Sequence, residues 1–524
     1  MLAPMLNRFI FLLWLALPAG VLGREVSLTI LHTTDLHGHI LPATDYEGHS
    51  NIGGLARCAT AIRQVRAQEK NVLLVDAGDT IQGTAASWLS DGQVMVRALN
   101  HLRYDAWVLG NHEFDWGTGK LTGCVARAAM PVLGGNIKGL AKTQAFVVRE
   151  MDGVKVAIVG LTTPGIPHWS RPRLIPGLEF ADSVATMRGL LPAIKQAGAQ
   201  VIVLVVHQGF KEGGDDHANQ VIALARRFPE VDVIIGGHTH RDMPEFKVSG
   251  VLYTQAGYHG CWLGRVDLVF DTEQRRVVRR EAKTMRMDES VAVDAELVKL
   301  VGEDLARAEK HLAEVVGEAE GELTAKGAPK RESAVQELMC AAIAEGLGRQ
   351  VVKVDAVLHG VLNAKATLPK GPVTVGGIWE LVPYENSIGV ARLTPGELRE
   401  VLEENAGAYE KTEFRGLWGL ISEIRPAAPA GQRVLAVRWP DGSELVATQR
   451  VAVAFNSYDL ASGGLRWRRL REIVDAPAAG LVEYDLTTRQ AVVDYCRRQG
   501  KLRPVVREWW RVVGGMPTAN SERD

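Results

Sequence analysis

Five short segments of the 524-residue chain set Asp, Asn or His just after an apolar run. They are His32-Thr-Thr-Asp35-Leu-His37, Asp76-Ala-Gly78-Asp79, Gly110-Asn111-His112-Glu113-Phe-Asp115, His207, and Gly236-Gly237-His238-Thr-His240. The donors are imidazole, carboxylate and one amide oxygen, with no thiolate. That mixture suits a pair of borderline divalent ions such as Mn²⁺, Zn²⁺, Fe²⁺ or Co²⁺. On an extended chain, residues two apart point to one side, so Asp35 with His37, and His238 with His240, each read as a two-toothed grip. Gly78, Gly110, Gly236 and Gly237 let backbone and ion approach closely. A single D-x-H or H-x-H is an ordinary surface turn; five such blocks in one order are not. His112-Glu113 does not open an H-E-x-x-H zinc helix, because Trp116 occupies the last place. Asp115, three residues after His112, reads by itself as a cap of the turn before Trp116-Gly117. His32, His39, His49 and His259 read as supporting or structural residues.

The runs that must position these groups lie at 26–31, 72–75, 106–109, 132–133, 154–161, 201–206 and 231–235. They are rich in Val, Ile and Leu without polar alternation, as strands buried on both faces are. Segments 53–69 and 184–196 have helical spacing. An α/β layered domain follows, with its ligands gathered beyond the carboxyl ends of the strands. Residues 291–322 predict one long helix leading out of it, broken at 324–331 by Gly327 and Pro329. A helix at 333–347, shorter strands, a turn at Pro440-Asp441-Gly442 and a final helix at 487–499 follow. The expected partition is a leader at 1–23, a first domain at 24–288, a helical connection at 289–332 and a second, α+β domain at 333–524.

Sixty Lys plus Arg face 61 Asp plus Glu, a net charge of −1, with 46% hydrophobic and 23% charged residues. This composition excludes a disordered tail, a collagen-like fibre and a multi-span membrane protein. It also argues against a nucleic-acid polymer as partner, since no basic excess exists to meet a phosphate backbone. An anionic substrate must therefore be held by a local field. Arg8 followed by an apolar run to Leu22, with Val21 and Gly23 at the −3 and −1 places, has the form of a secretory leader. Its removal would deliver the chain to a periplasmic or extracellular space without a membrane span. The polar end, 514–524, lacks the apolar tail of a lipid-anchor signal. Five scattered cysteines form no C-x-x-C pair, which argues against a thiolate zinc site and for dispersed buried thiols.

Asp35-Leu-His37, Gly78-Asp79, Gly110-Asn111-His112-Glu113, His207 and Gly237-His238-Thr-His240 match every block of the calcineurin-like metallophosphoesterases, which the chain resembles. The segments 29–38 and 110–117, with the two-domain layout, are more narrowly similar to the secreted 5′-nucleotidases. That family includes UDP-sugar hydrolases and 2′,3′-cyclic-nucleotide phosphodiesterases. The resemblance implies a metallophosphoesterase β-sandwich flanked by helices and a 5′-nucleotidase-type substrate domain. It implies one ion on Asp35, His37, Asp79 and His240, and a second on Asp79, Asn111, His207 and His238. Two dications, two carboxylates and a bridging hydroxide leave about +1, which attracts a phosphoryl group; the hydroxide then attacks phosphorus in line. His112 and Asp115 become a catalytic dyad.

The implied activity is that of an exported 5′-nucleotidase-like hydrolase acting on a small phosphoester. A cyclic-nucleotide phosphodiesterase with 3′-nucleotidase activity, a UDP-sugar hydrolase or a sulfur-ester hydrolase is the alternative on this scaffold. A non-catalytic binding protein would not need the full ligand set with His112 and Asp115. Second-domain landmarks persist at 382–386, 393–396 and 456–464. The family's G-G-I-R arginine, however, corresponds to Leu362, and the Asp after its Gly-Gly pair corresponds to Leu465. Both departures remove polar contacts expected for a nucleotide. Tyr458, Phe414 and Trp418 are the candidate stacking rings, and Arg392, Arg415 and Arg466 the candidate phosphate grips.

Overall fold

The computed structural model describes residues 24–514, so the expected leader and the last ten residues lie outside it. Two mixed sheets face each other in the N-terminal half. One runs Arg276–Arg286, Trp262–Asp271, Glu25–Thr33, Val72–Asp76, Ala106–Val108, Val132–Leu133, Thr143–Gln144. The other runs Asp242–Val248, Val251–Ala256, Val233–Ile235, Val201–Val206, Val154–Leu161, Phe146–Met151. Glu25–Thr33, Val72–Asp76 and Ala106–Val108 are parallel neighbours, as are Val201–Val206 and Val233–Ile235. Within each sheet these strands therefore end on one edge, and the blocks that follow all five come together there.

The unalternating apolar runs have a direct cause. Val26, Leu28 and Ile30 pack between the sheets with Val203, Val205 and Ile235. Leu31 instead faces the helices Leu55–Gln68 and Gln93–Leu102. The second sheet is covered by Ser183–Gln196, capped by Asp182, and by Val221–Arg227. All five cysteines are buried and free. Among the described residues no helix is long and apolar enough to cross a membrane.

Residues 291–322 differ from the single helix expected. Helices Ala295–Leu300 and Gly302–Leu312 are separate, and Val315–Ala319 is a strand paired with Gly371–Thr374 and Lys501–Leu502. Gly302 interrupts the first stretch, and the β-branched pair Val315-Val316 before Gly317 suits a strand better than a helix.

The C-terminal half is built on a five-stranded sheet, ordered Gly416–Trp418, Ala356–His359, Val451–Asn456, Ser387–Leu393, Val482–Thr487. Helices Ala334–Arg349 and Thr488–Gln499 cover one face, and Pro395–Ala406 with Arg468–Asp475 the other. A capping box of Thr394 and Glu397 starts Pro395–Ala406. The halves meet at the turn Ile166–His168 and the residues after it. Arg171, buried, reaches Asp475 at 2.7 Å and Glu483 at 2.8 Å, and Arg471 donates to the Pro167 carbonyl at 2.6 Å. These bonds hold Trp169 between the two halves.

Candidate metal centre

Asp35, His37, Asp79 and His240 each present a donor atom within 4.8 Å of the others, and Asp79, His207 and His238 form a second such group. Asp79 belongs to both. Asn111 joins the second through Oδ1, 3.2 Å from His207 Nε2. Seven residues separated by up to 205 positions thus converge on one edge of the sandwich.

The expected two-toothed grips form differently from an extended chain. Asp35, His37, Asp79, His238 and His240 all have left-handed backbones, with φ of 50°, 46°, 54°, 73° and 55°. Such turns are costly for non-glycine residues and are found where function over-determines the backbone. They aim Asp35 and His37 into one group but divide His240 and His238 between the two. Gly110 is required by closeness, since a Cβ there would stand 2.2 Å from Asp79 Oδ1.

Tautomers follow from the backbone. His207 Nδ1 donates to the Ala77 carbonyl at 2.8 Å and His37 Nδ1 to the Gln82 carbonyl at 3.1 Å, which turns each Nε2 into the cluster; burial keeps His37 neutral with its lone pair there, while the Asp79 carboxylate outweighs burial at His207 and lifts it to about 9, so that a bound cation would take the place of that proton. His37 Nε2 lies 3.1 Å from His240 Nε2, and His207 Nε2 lies 3.0 Å from Asp79 Oδ2. Burial holds His37 and His238 down to about 3, in the neutral form that ligates metals. Burial would raise Asp79, but His207 and His112 outweigh it and keep the carboxyl well below its usual range. Converging imidazole lone pairs around buried carboxylates are a donor set that fits divalent cations.

His112 opens the short turn His112–Phe114, and its N–H donates to Asp79 Oδ1 at 2.8 Å. Its ring Nδ1 donates to Asp115 Oδ2 at 2.7 Å, which makes Asp115 a partner rather than a simple turn cap. Burial lowers the imidazole's pKa, but Asp115 and Asp79 outweigh it and lift it to about 10. The ring lies nearly parallel to Tyr384, centroids 6.2 Å apart.

Glu113 is a functional residue that sequence reasoning missed, although it stands inside the quoted Gly110–Glu113 block. Buried, it accepts the N–H groups of Asp79, Thr80, Ile81 and Gly110 at 2.6–3.2 Å. It thereby fixes together the two loops that carry the candidate ligands Asp79 and Asn111. Glu113→Ala is expected to lower stability by about 3 kcal/mol, since buried unpaired donors cost roughly 1–3 kcal/mol each and entering water repays part. Thermal unfolding followed by circular dichroism measures this; an unchanged midpoint would remove the role. His39 and His259 stack at 3.7 Å, His259 N–H donates to the Asp35 carbonyl, His49 pairs with Asp45, and His32 is buried beside Gly264.

A cavity of about 480 Å³ opens from the centre toward the second domain. Asn111, His112, Asp115, Trp169 and His238 line one side, and Tyr384, Asn386, Asn456, Tyr458, Arg415 and Arg466 the other. Leu362 lies in this wall, whereas Leu465 and Arg392 are not among its lining residues. Phe414 and Trp418 correct the expectation. Phe414 packs against Tyr409 and Trp510; Trp418 donates to Glu337 and packs on Trp509. Neither lines the cavity, because both are consumed by the domain's own core. Tyr384 stands in the 382–386 landmark but not among the candidate rings, and Trp169 belongs to no landmark: an aromatic side chain carries no signal of whether it faces core or cavity.

Residues 28–242 match the family profile "Calcineurin-like phosphoesterase", and residues 315–472 match "5'-nucleotidase, C-terminal domain". A snake venom 5'-nucleotidase from Crotalus adamanteus is 25% identical, over 96% of this chain and 92% of its own. A 2',3'-cyclic-nucleotide 2'-phosphodiesterase/3'-nucleotidase from Haemophilus influenzae is 26% identical, over 74% and 68%. The crystal structure of a 5'-nucleotidase precursor from Thermus thermophilus superposes with a TM-score of 0.70 at 26% identity, covering 94% of this chain and 100% of that one.

Proposed function

The chain belongs to the phosphoester hydrolases that join a calcineurin-like domain to a 5′-nucleotidase C-terminal domain, and from that premise we propose that it releases phosphate from nucleoside 5′-monophosphates after export from the cytoplasm. The observation that carries this reading is the single cavity joining the seven-donor cluster to Tyr384 and Tyr458. Asp35, His37, Asp79 and His240 would hold one divalent ion, and Asp79, Asn111, His207 and His238 another, with Mn²⁺, Zn²⁺, Fe²⁺ and Co²⁺ all suited to the donors. When bound, such ions supply Lewis acidity and bring the pKa of water toward neutrality.

The chain's own groups do the rest. His112, held by Asp115, keeps Nε2 directed away from the carboxylate and carries a proton at neutral pH. It can donate to a phosphoryl oxygen as charge grows there, or to the leaving oxygen as the ester bond breaks. Glu113 holds the Asp79 and Gly110 loops at fixed spacing, so little reorganisation is needed during reaction. Tyr384 and Tyr458 offer planar faces to a base, and Asn386 offers an amide group for its polar edge. Export rests on the form of residues 1–23 and on the snake venom relatives.

The test is phosphate release by the purified chain with added Mn²⁺. A 5′-nucleotide, a 3′-nucleotide, a 2′,3′-cyclic nucleotide and an aryl phosphate are compared. The 5′-nucleotide should have the highest kcat/KM. A preference for the cyclic or 3′-nucleotide would move the chain to the alternative activity, and inactivity on all four would end the phosphomonoesterase reading.

A further inference from the structure

The four imidazoles of the donor cluster are not held alike. His37 and His207 each give Nδ1 to a backbone carbonyl, at 3.1 and 2.8 Å. His240 lies parallel to Tyr46 of its own domain. The His238 ring has no hydrogen-bond partner among the described residues. An indole stands against it instead, that of Trp169, with ring centroids 5.1 Å apart and planes inclined by 49°. Ligating imidazoles are ordinarily oriented through the outer nitrogen, and losing that partner costs roughly 10–100-fold in metal affinity. At His238 the orienting contact is packing, so the direction of the ring depends on whatever fixes the indole.

Both halves of the chain fix it. A Cβ on Gly165 would stand 2.9 Å from one edge of the indole, and a Cβ on Gly464 2.6 Å from its Nε1. Gly464 belongs to the second domain. Its N–H donates to the His168 carbonyl at 2.9 Å, and Ser462 Oγ donates to the same oxygen at 3.2 Å. With Arg471 on the Pro167 carbonyl, these bonds seat the turn before Trp169 on the second domain. The indole is thus wedged between two glycines, one from each half, with His238 beside it.

Resting on the two-ion reading above, we propose that Trp169 is a positioning residue for His238, through which the docked second domain tightens the second divalent-cation position. An imidazole released from the indole gains rotational freedom that ligation must take away again. The effect is confined to one position, because His37 and His240 pack against His112, His259 and Tyr46 rather than against the indole.

Mn²⁺ binding to the full chain is measured by calorimetry for the wild type, Trp169→Ala, Trp169→Phe and Gly464→Ala, and anomalous diffraction identifies the position each variant loses. Trp169→Ala should weaken the ion beside Asn111, His207 and His238 at least about tenfold, and leave the ion beside Asp35, His37 and His240 within about threefold of wild type. Trp169→Phe keeps an aromatic face and should recover most of the loss. Gly464→Ala, whose new methyl group presses on the indole, should weaken the same ion at least about threefold. Equal loss at both positions in Trp169→Ala, or none at either, would overturn the positioning role. Wild-type affinity in Gly464→Ala would overturn the second domain's part in it. A wild-type chain that binds fewer than two ions would overturn the two-ion reading itself. Circular dichroism controls for folding; if Trp169→Ala does not fold, Trp169→Leu, which keeps apolar volume without a flat face, takes its place.

Discussion

Replacing His112 with alanine is expected to lower kcat by roughly 10³ while metal content stays at the wild-type level. The two parts of this result have separate causes. His112 lies outside both ligand groups, so its removal takes no donor from a bound ion. Its ring instead faces the cavity beside Tyr384, fixed by Asp115. It is the one lining imidazole whose protonated form is favoured, whereas burial keeps His238 neutral. Loss of the ring therefore removes a proton donor from the transition state and should leave KM nearly unchanged. Asp115→Asn keeps a hydrogen-bonding partner but not the charge, and its loss should be smaller. Steady-state kinetics with metal analysis by mass spectrometry makes the comparison. A kcat within threefold of wild type, or metal lost along with activity, would refute the assignment.

A larger effect is expected at Asp79. Asp79→Asn should reduce bound metal to one ion or none per chain and lower kcat by roughly 10⁴. The carboxylate serves both ligand groups, and its other contacts show how much depends on it. Oδ2 faces His207 at 3.0 Å and His37 at 3.8 Å, and Oδ1 receives the His112 N–H. Asparagine keeps the shape and one acceptor oxygen, so the fold and the His112 turn should persist; the bridging charge is what disappears. Circular dichroism controls for folding. Two ions retained by Asp79→Asn would show that Asp79 does not bridge.

The cluster of candidate donors was legible in the sequence because their chemistry is restricted and their placement is periodic. Only a few residue types can ligate, and each block follows a strand buried on both faces, as Leu28 and Leu31 illustrate by facing different cores. The left-handed backbones at Asp35, His37, His238 and His240 were not legible, because they are imposed by the meeting of loops distant in sequence. The same holds for Glu113, whose four N–H partners come from loops separated by about thirty residues. The rings of the cavity were only half legible. Tyr458 lines it, whereas Phe414 and Trp418 pack into the core, where aromatics are equally at home. Residues 291–322 misled through composition: Ala, Glu and Leu favour helix locally, while the pairing of Val315–Ala319 with Gly371–Thr374 is tertiary.

Seven side chains from five strand ends are placed to hold two divalent ions across Asp79. Anomalous diffraction at the manganese edge, from crystals of the wild-type chain grown with Mn²⁺, tests it most directly. Two peaks are expected, one beside Asp35, His37 and His240 and one beside Asn111, His207 and His238, with the Asp79 carboxylate between them. A single peak, or ions seated away from Asp79, would contradict it.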